Sequence, residues 1–79
     1  MSEQRIIDGH EYSRFTEVDK FVAWASGAGW GSGAVFEAAT GNTIQALVRR
    51  KRWVRSYIDL RGRHRFDVRG AHNTVAVPK

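Results

Sequence analysis

The chain of 79 residues carries 13 Lys and Arg against 8 Asp and Glu, which gives a formal net charge of +5, and it contains no cysteine. This length allows one domain with one small core, and 42% hydrophobic residues are enough to fold it rather than leave it disordered. The lack of cysteine excludes disulfide scaffolds, cysteine-ligated zinc sites and thiol nucleophiles.

The first residues and the apolar runs indicate where the protein is found. MSEQR has no basic leader, and the longest apolar run covers only residues 21–25. We therefore expect neither a secretory signal nor a membrane span. We expect one domain over residues 1–79, a cytoplasmic location and no cofactor.

The charge is distributed unevenly along the chain. Residues 1–48 carry three cations against six acids, whereas residues 49–69 carry nine cations against two acids. Eight of those nine cations are arginine, whose planar guanidinium binds phosphate through two parallel hydrogen bonds. The chain thus has an acidic half, 1–48, followed by a basic segment, 49–69, and this contrast is the most informative functional signal.

Two elements are predicted in the first third. Asp8-Gly9 lies between Ile6-Ile7 and Tyr12 and predicts a β-hairpin over 5–15 with a type I′ turn. A helix over about 16–26 follows, with the Thr16 hydroxyl as its N-cap and Gly27 as its end. The apolar positions of this helix recur at a spacing of 3.6 residues and are Val18, Phe21, Val22 and Ala25. Four glycines within 27–33 predict a loop.

Residues 33–53 allow two interpretations. A turn at Gly41-Asn42 could join strands over 34–40 and 43–49, but neither face of that hairpin would be cleanly apolar. A helix over 43–52, capped by Asn42 or Thr43, fits better. Its apolar stripe consists of Ile44, Leu47 and Val48. Residues 33–40 could form a short helix that ends at Gly41, and the conformation of 33–41 stays open.

The last third is predicted to be β-structure. A three-residue loop at Arg61-Gly62-Arg63, with Gly62 left-handed, would pair Ile58 with Phe66 and join strands over 53–60 and 64–69. This register separates an apolar from a polar face. The apolar face holds Val54, Ile58, Leu60, Phe66 and Val68, and the polar face holds Arg55, Tyr57, Asp59, Arg65 and Asp67. Residues 74–77 predict a third, short strand.

These elements together predict an α+β fold with two helices packed on an antiparallel sheet. The alternative is a winged helix-turn-helix, in which Gly41 is the turn between two helices and the hairpin at Gly62 is the wing.

The basic segment predicts a surface for nucleic acid, either RNA or DNA. Arginines at the end of a helix and on a hairpin would contact phosphates, and Trp53 or Tyr57 would stack on bases. Of the three tryptophans, Trp53 is the one expected to be exposed for stacking. The residues expected to bind are Arg49, Arg50, Lys51, Arg52, Trp53, Arg55, Arg61, Arg63, Arg65 and Arg69.

A protein–protein module is the first alternative function. A small inhibitor or accessory factor could place the basic segment on an acidic or nucleic-acid-handling protein. The acidic half could also pair with the basic segment of a second copy, which would give a homodimer.

Residues 43–78 resemble the HicA-type toxins of toxin–antitoxin pairs. The resemblance consists of a helix, a strand led by Trp, a Gly-x-His hairpin, a basic strand and Val-x-Val-Pro. The matching residues are Ile44, Leu47, Trp53, Gly62, His64, Phe66, Val75, Val77 and Pro78. It implies an α-β-β-β-α fold like that of double-stranded-RNA-binding domains, and cleavage of messenger RNA by His64.

Apart from that resemblance, His64 is a hairpin residue near solvent. A general acid–base histidine needs a group that fixes its tautomer, and the candidates are Asp59 and Asp67. Both are expected to pair with neighbouring strand residues. The sequence pattern itself therefore assigns no catalytic residue and no metal site.

Overall fold

Two β-hairpins flank three helices. A computed structural model gives the fold and describes residues 2–70. The elements are β1 (Ser2–Ile7), β2 (His10–Phe15), α1 (Val18–Gly27), α2 (Gly33–Thr40), α3 (Ile44–Arg49), β3 (Trp53–Ile58) and β4 (His64–Arg69). None of the helices within these residues is long and apolar enough to cross a membrane.

All four strands belong to one antiparallel sheet in the order β1-β2-β3-β4. The two hairpins join where Ser13 of β2 lies opposite Val54 of β3. The α+β class is confirmed, with a third helix and with the N-terminal hairpin built into the main sheet. The strand predicted over 74–77 lies outside the described residues. The winged helix-turn-helix alternative stays a prediction.

The first hairpin turns as its sequence predicts. Asp8 has φ 53° and Gly9 has φ 82°, so both central residues are left-handed, as a type I′ turn requires. Ile7 and His10 close the turn as cross-strand partners.

The predicted N-cap of α1 is wrong. The N-cap residue is Glu17, and no side chain caps this end of the helix. The first turn closes when the Phe21 N–H donates to the Glu17 carbonyl at 3.2 Å, so Thr16 lies one residue too early to act. The end is near the predicted one, since Gly27 is the last helical residue.

Residues 33–41, whose conformation the sequence leaves open, form helix α2 and its C-cap. The Ser32 hydroxyl caps α2 by accepting from the Val35 N–H at 3.3 Å, and Gly41 ends it with φ 74°. The Thr43 hydroxyl in turn caps α3 through the Ala46 N–H at 3.2 Å.

The second of these helices is shorter than the predicted 43–52. Lys51 is left-handed, with φ 54°, and its N–H donates to the Val48 carbonyl at 3.0 Å. The Arg52 N–H donates to the Leu47 carbonyl at 3.0 Å. These two bonds form a Schellman motif, which satisfies the last carbonyls and ends α3 at Arg49.

The β3–β4 turn is displaced by one residue from its predicted place. The loop is Leu60-Arg61-Gly62, and Gly62 is left-handed with φ 79° as expected. Ile58 therefore lies opposite His64 rather than Phe66, and β3 ends at Ile58 rather than at residue 60. Because the register differs by two residues, each strand side chain keeps its predicted face.

Phe36 lies at the centre of the core, between the helices and the sheet. It is fully buried, and its ring centroid is 4.7 Å from that of Phe66 on β4 and 5.3 Å from that of Phe21 on α1. The other buried members of this cluster are Phe15, Ala25, Trp30, Ile44, Leu47 and Val54. Trp30 is a core residue, and its indole N–H donates to the Ser56 hydroxyl at 2.9 Å.

The loop between α1 and α2 packs on the start of β4. Gly29 has φ 99°, and a Cβ placed there would lie 2.5 Å from Cε1 of His64. The imidazole of His64 also contacts Trp30, with 5.4 Å between ring centroids. Glycine is thus required at position 29 by its backbone conformation and by the close approach of His64.

We predict that Gly29→Ala destabilises the protein by about 1–3 kcal/mol, because alanine is strained at positive φ and its methyl group meets His64. Gly27→Ala is the matched control: Gly27 is helical, and a Cβ there meets nothing within 4 Å. That substitution is expected to leave stability unchanged or raise it by about 0.5–1 kcal/mol. Urea unfolding of both variants checks this, and equal stabilities would contradict it.

Candidate functional site

One face of the sheet points away from the helices and is rich in arginine. Residues directly opposite each other in neighbouring strands share a face, so the register defines its members. We call it the outer sheet face, and it consists of Glu3, Arg5, Ile7, His10, Tyr12, Arg14, Trp53, Arg55, Tyr57, Arg65, Asp67 and Arg69. It carries five arginines and two carboxylates. The predicted polar set of β3 and β4 lies on this face, apart from Asp59, which is in the turn.

The aromatic rings of the outer sheet face are covered by guanidinium groups. Cζ of Arg14 lies 4.6 Å from the ring centroid of Trp53, and Cζ of Arg55 lies 4.2 Å from that of Tyr57. Arg5 also reaches the Trp53 ring, at 5.9 Å. These are cation–π contacts, in which the long side chains also shield apolar surface from water.

The prediction that Trp53 is exposed for base stacking is therefore wrong. Only 4% of its surface is accessible. Alternation along β3 places it on the polar face, but arginines from β1 and β2 lie over its ring. Sequence reasoning missed this because it did not bring the N-terminal hairpin alongside β3.

Three arginines of the outer sheet face form ion pairs. Arg14 binds Glu3 through its Nε, at 2.7 Å from Oε1. Arg69 Nη1 lies 2.9 Å from Asp8 Oδ2, and Arg65 Nε lies 2.9 Å from Asp59 Oδ2. The pair between Arg69 and Asp8 joins the basic segment to the acidic half, so these two parts of the chain interact within one molecule.

Tyr12 links β2 to β4 on this face. Its hydroxyl donates to Asp67 Oδ2 at 3.0 Å and accepts from Arg69 Nε at 3.3 Å, while the residue is fully buried. The hydrogen bond to Tyr12 raises the pKa of Arg69 above its usual range, and the nearby charges of Asp8 and Asp67 act in the same direction. Its contacts with the Tyr12 hydroxyl and with Asp8 hold the charged guanidinium of Arg69 in place.

A second basic surface lies at the end of α3. Arg49, Arg50 and Lys51 are exposed there, and we call these three residues the α3-end patch. Arg52, the next residue, is half-buried. A cavity of about 440 Å³ lies beside the patch, and its lining residues are Glu3, Arg14, Phe15, Thr16, Val48, Arg49 and Lys51. Arg14 therefore joins this surface to the outer sheet face.

The third basic surface is the hairpin tip, residues 59–63. Arg61 and Arg63 are exposed, and the turn is fixed from inside by Asp59. Asp59 Oδ1 accepts from the N–H groups of Arg61 and Arg63, each at 2.9 Å. The Arg63 N–H, then the Arg65 guanidinium and the Arg61 N–H, lower the pKa of Asp59 below its ordinary value of 3.8.

The predicted binding residues thus lie on three surfaces rather than on one. The α3-end patch holds Arg49, Arg50 and Lys51, with Arg52 beside it. The outer sheet face holds Trp53, Arg55, Arg65 and Arg69, and the hairpin tip holds Arg61 and Arg63. Sequence reasoning missed Arg5 and Arg14, which belong to the acidic half. The pairing of β2 with β3 at Ser13 and Val54 is what brings them into the site.

His64 lies on the opposite side of the sheet, at a cavity of about 380 Å³. The cavity is lined by Trp30, Ala39, Thr40, Asn42, His64, Arg65, Phe66 and Val68. The two carboxylates considered as its partners are engaged elsewhere: Asp59 binds Arg65 and Asp67 binds Tyr12. His64 is held by contact with Trp30 and Gly29 rather than by either acid.

No cluster of histidine and carboxylate groups that could hold a metal ion occurs within residues 2–70. No family model, curated protein or solved structure matches this chain. The resemblance of residues 43–78 to HicA-type toxins, and the ribonuclease role it implies for His64, stay predictions.

We predict that Tyr12→Phe lowers the free energy of unfolding by about 1–2 kcal/mol, because Asp67 and Arg69 lose the hydroxyl that both contact. Tyr57→Phe is the matched control on the same face, since Tyr57 is partly exposed and is held by Arg55 through its ring. Its effect is expected within about 0.5 kcal/mol of zero. Chemical denaturation measures both, and a Tyr12→Phe variant as stable as Tyr57→Phe would contradict the assignment.

A second prediction concerns acid. Because the folded-state pKa of Asp59 lies below its ordinary value of 3.8, its contribution to stability is present above that value and is lost as the pH falls through the folded pKa. Asp59→Ala should therefore be less stable than the wild type at neutral pH, and the difference should shrink below pH 3.8. Thermal unfolding across this pH range checks it. Gln45→Ala, which removes an exposed side chain that does not titrate, is the control and should show no such convergence.

Proposed function

We propose that this protein binds nucleic acid by gripping the phosphate backbone with arginine. The α3-end patch, the outer sheet face and the hairpin tip would each contribute contacts. The cytoplasmic location expected from the sequence belongs to this proposal.

The observation that carries the proposal is how few of the basic-segment cations are neutralised. Of its nine cations, Arg65 and Arg69 form ion pairs within the described residues. The other seven form none there, and they are Arg49, Arg50, Lys51, Arg52, Arg55, Arg61 and Arg63. The two acids of the segment form no ion pair with these seven: Asp59 secures the turn and Arg65, and Asp67 accepts from Tyr12.

The three surfaces lie in sequence along one strand. β3 begins just after the α3-end patch and ends just before the hairpin tip, and six residues of strand span about 20 Å. Arg55 lies between them on the outer sheet face. Cations spaced along such a length suit a polyanion that extends over several phosphates better than a small anion.

Phosphate contacts, rather than base stacking, are the mode of binding that these side chains favour. Trp53 is buried beneath Arg14 and Arg5, and Arg55 lies on Tyr57, so the rings are not free platforms. Binding of this kind carries little sequence information and depends strongly on salt, because each phosphate contact releases counterions.

We predict that the affinity for a 20-nucleotide DNA or RNA, as a single strand or a duplex, falls steeply between about 50 mM and about 200 mM salt. Arg50→Gln should weaken binding and lower the slope of log affinity against log salt by about one, because one phosphate contact is lost. Fluorescence anisotropy at several salt concentrations measures both quantities.

Lys20→Gln is the matched control, because it also removes one exposed cation but lies on α1 in the acidic half. It should leave the slope unchanged. The proposal fails if the wild type binds none of the four probes at low salt, or if the two variants lose equal affinity. Capture of a protein partner in place of nucleic acid would instead support the protein–protein alternative.

A further inference from the structure

The end of the β3–β4 hairpin projects from the body of the protein. The first residues of β3, Trp53 and Val54, are buried, whereas Tyr57 and Ile58 at its end are exposed. Ile58 and His64 form the last pair of the two strands, and residues 59–63 close the turn beyond them. The hairpin tip, residues 59–63, is therefore accessible from several sides.

The apex carries an apolar side chain that packs against nothing. Leu60 is fully exposed, and Ile58, two residues before it, is 61% exposed. A single exposed leucine is common on protein surfaces. This one lies at the end of a projection, between the exposed cations Arg61 and Arg63 and the partly exposed Ile58.

The tip is also held in one shape. The Asp59 carboxylate accepts from two N–H groups within the turn and from Arg65, and the Asp59 N–H donates to the Arg63 carbonyl at 3.0 Å. Asp59, the one acid of the tip, is thus turned inward and paired. Leu60, Arg61 and Arg63 are presented without an opposing charge, on a turn whose backbone has little entropy left to lose on binding.

We infer that the hairpin tip enters the minor groove of double-stranded DNA, with Arg61 and Arg63 in the groove and Leu60 wedged against a base step. This inference rests on the proposed function and specifies its ligand. The narrow minor groove of A·T-rich DNA concentrates negative potential and attracts arginine, and apolar side chains inserted there partly unstack base pairs and bend the duplex.

The dimensions favour this groove. The minor groove of B-DNA is about 6 Å wide and about 7.5 Å deep, which is narrower than the major groove that admits a whole helix or a two-stranded ribbon. The two strands of a hairpin lie about 4.8 Å apart, so only the apex and its side chains enter. Gly62 adds no side-chain bulk between the two arginines. Duplex RNA offers a wide, shallow minor groove, in which a narrow tip would make fewer contacts.

The test uses the full chain and 20-base-pair DNA duplexes with either an A·T-rich or a G·C-rich centre. One A·T duplex carries 2-aminopurine at its centre, whose fluorescence rises when it is unstacked. The wild type is expected to prefer the A·T duplex and to raise the fluorescence. Leu60→Ala is expected to abolish the rise and weaken duplex binding roughly tenfold, without changing the salt slope. Because Leu60 packs on nothing, this variant should fold normally, which thermal unfolding verifies.

Ile58→Ala is the control, since it also removes exposed apolar surface but lies below the apex. The inference is overturned if Leu60→Ala binds like the wild type, if both variants lose equal affinity, or if duplex RNA binds as tightly as A·T-rich DNA. In each of those cases salt-dependent binding persists and the proposed function stands. Absence of binding to every probe would overturn both.

Discussion

The packing of Phe36 is the interaction on which the rest of this fold depends. Its ring contacts Phe21 and Trp24 of α1, Trp30 of the following loop and Phe66 of β4. A domain of this size has little apolar surface to bury, so one side chain that joins two helices, a loop and a strand carries a large share of the stability. The helical conformation of α2 allows this placement. Phe36 lies one turn of helix after the Ser32 cap, and its ring packs in the core.

Because the helices pack on this core, the two sides of the sheet differ in what covers them. On the side that faces Phe36, the residues Phe15, Val54, Phe66 and Val68 pack into the core with the helices. The outer sheet face has no helix over it among residues 2–70, and it is covered instead by its own arginine side chains. Aromatic surface is buried on both sides, under helices on one and under guanidinium groups on the other. The charge therefore remains at the surface, where a ligand can reach it.

Much of this arrangement could be predicted from local sequence. Asp8-Gly9 determined a turn, Gly41 and Thr43 marked the ends of helices, and alternation assigned the faces of β3 and β4. Other features depended on contacts that this pattern does not show. The turn between β3 and β4 lies one residue earlier than predicted, and there the Asp59 carboxylate accepts from the N–H groups of Arg61 and Arg63. The site gained Arg5 and Arg14 only through pairing of β2 with β3, which no local pattern signals.

The stacking of Arg55 on Tyr57 has a further consequence for how the outer sheet face meets an anion. A guanidinium that lies on a ring uses its π surface for that contact, while its five N–H donors remain in the plane of the group and point outward. The ring thus limits the rotation of the side chain without occupying its donors. An anion that arrives at Arg55 finds the donors already aligned, so less side-chain entropy is lost on binding than for a lysine at the same place.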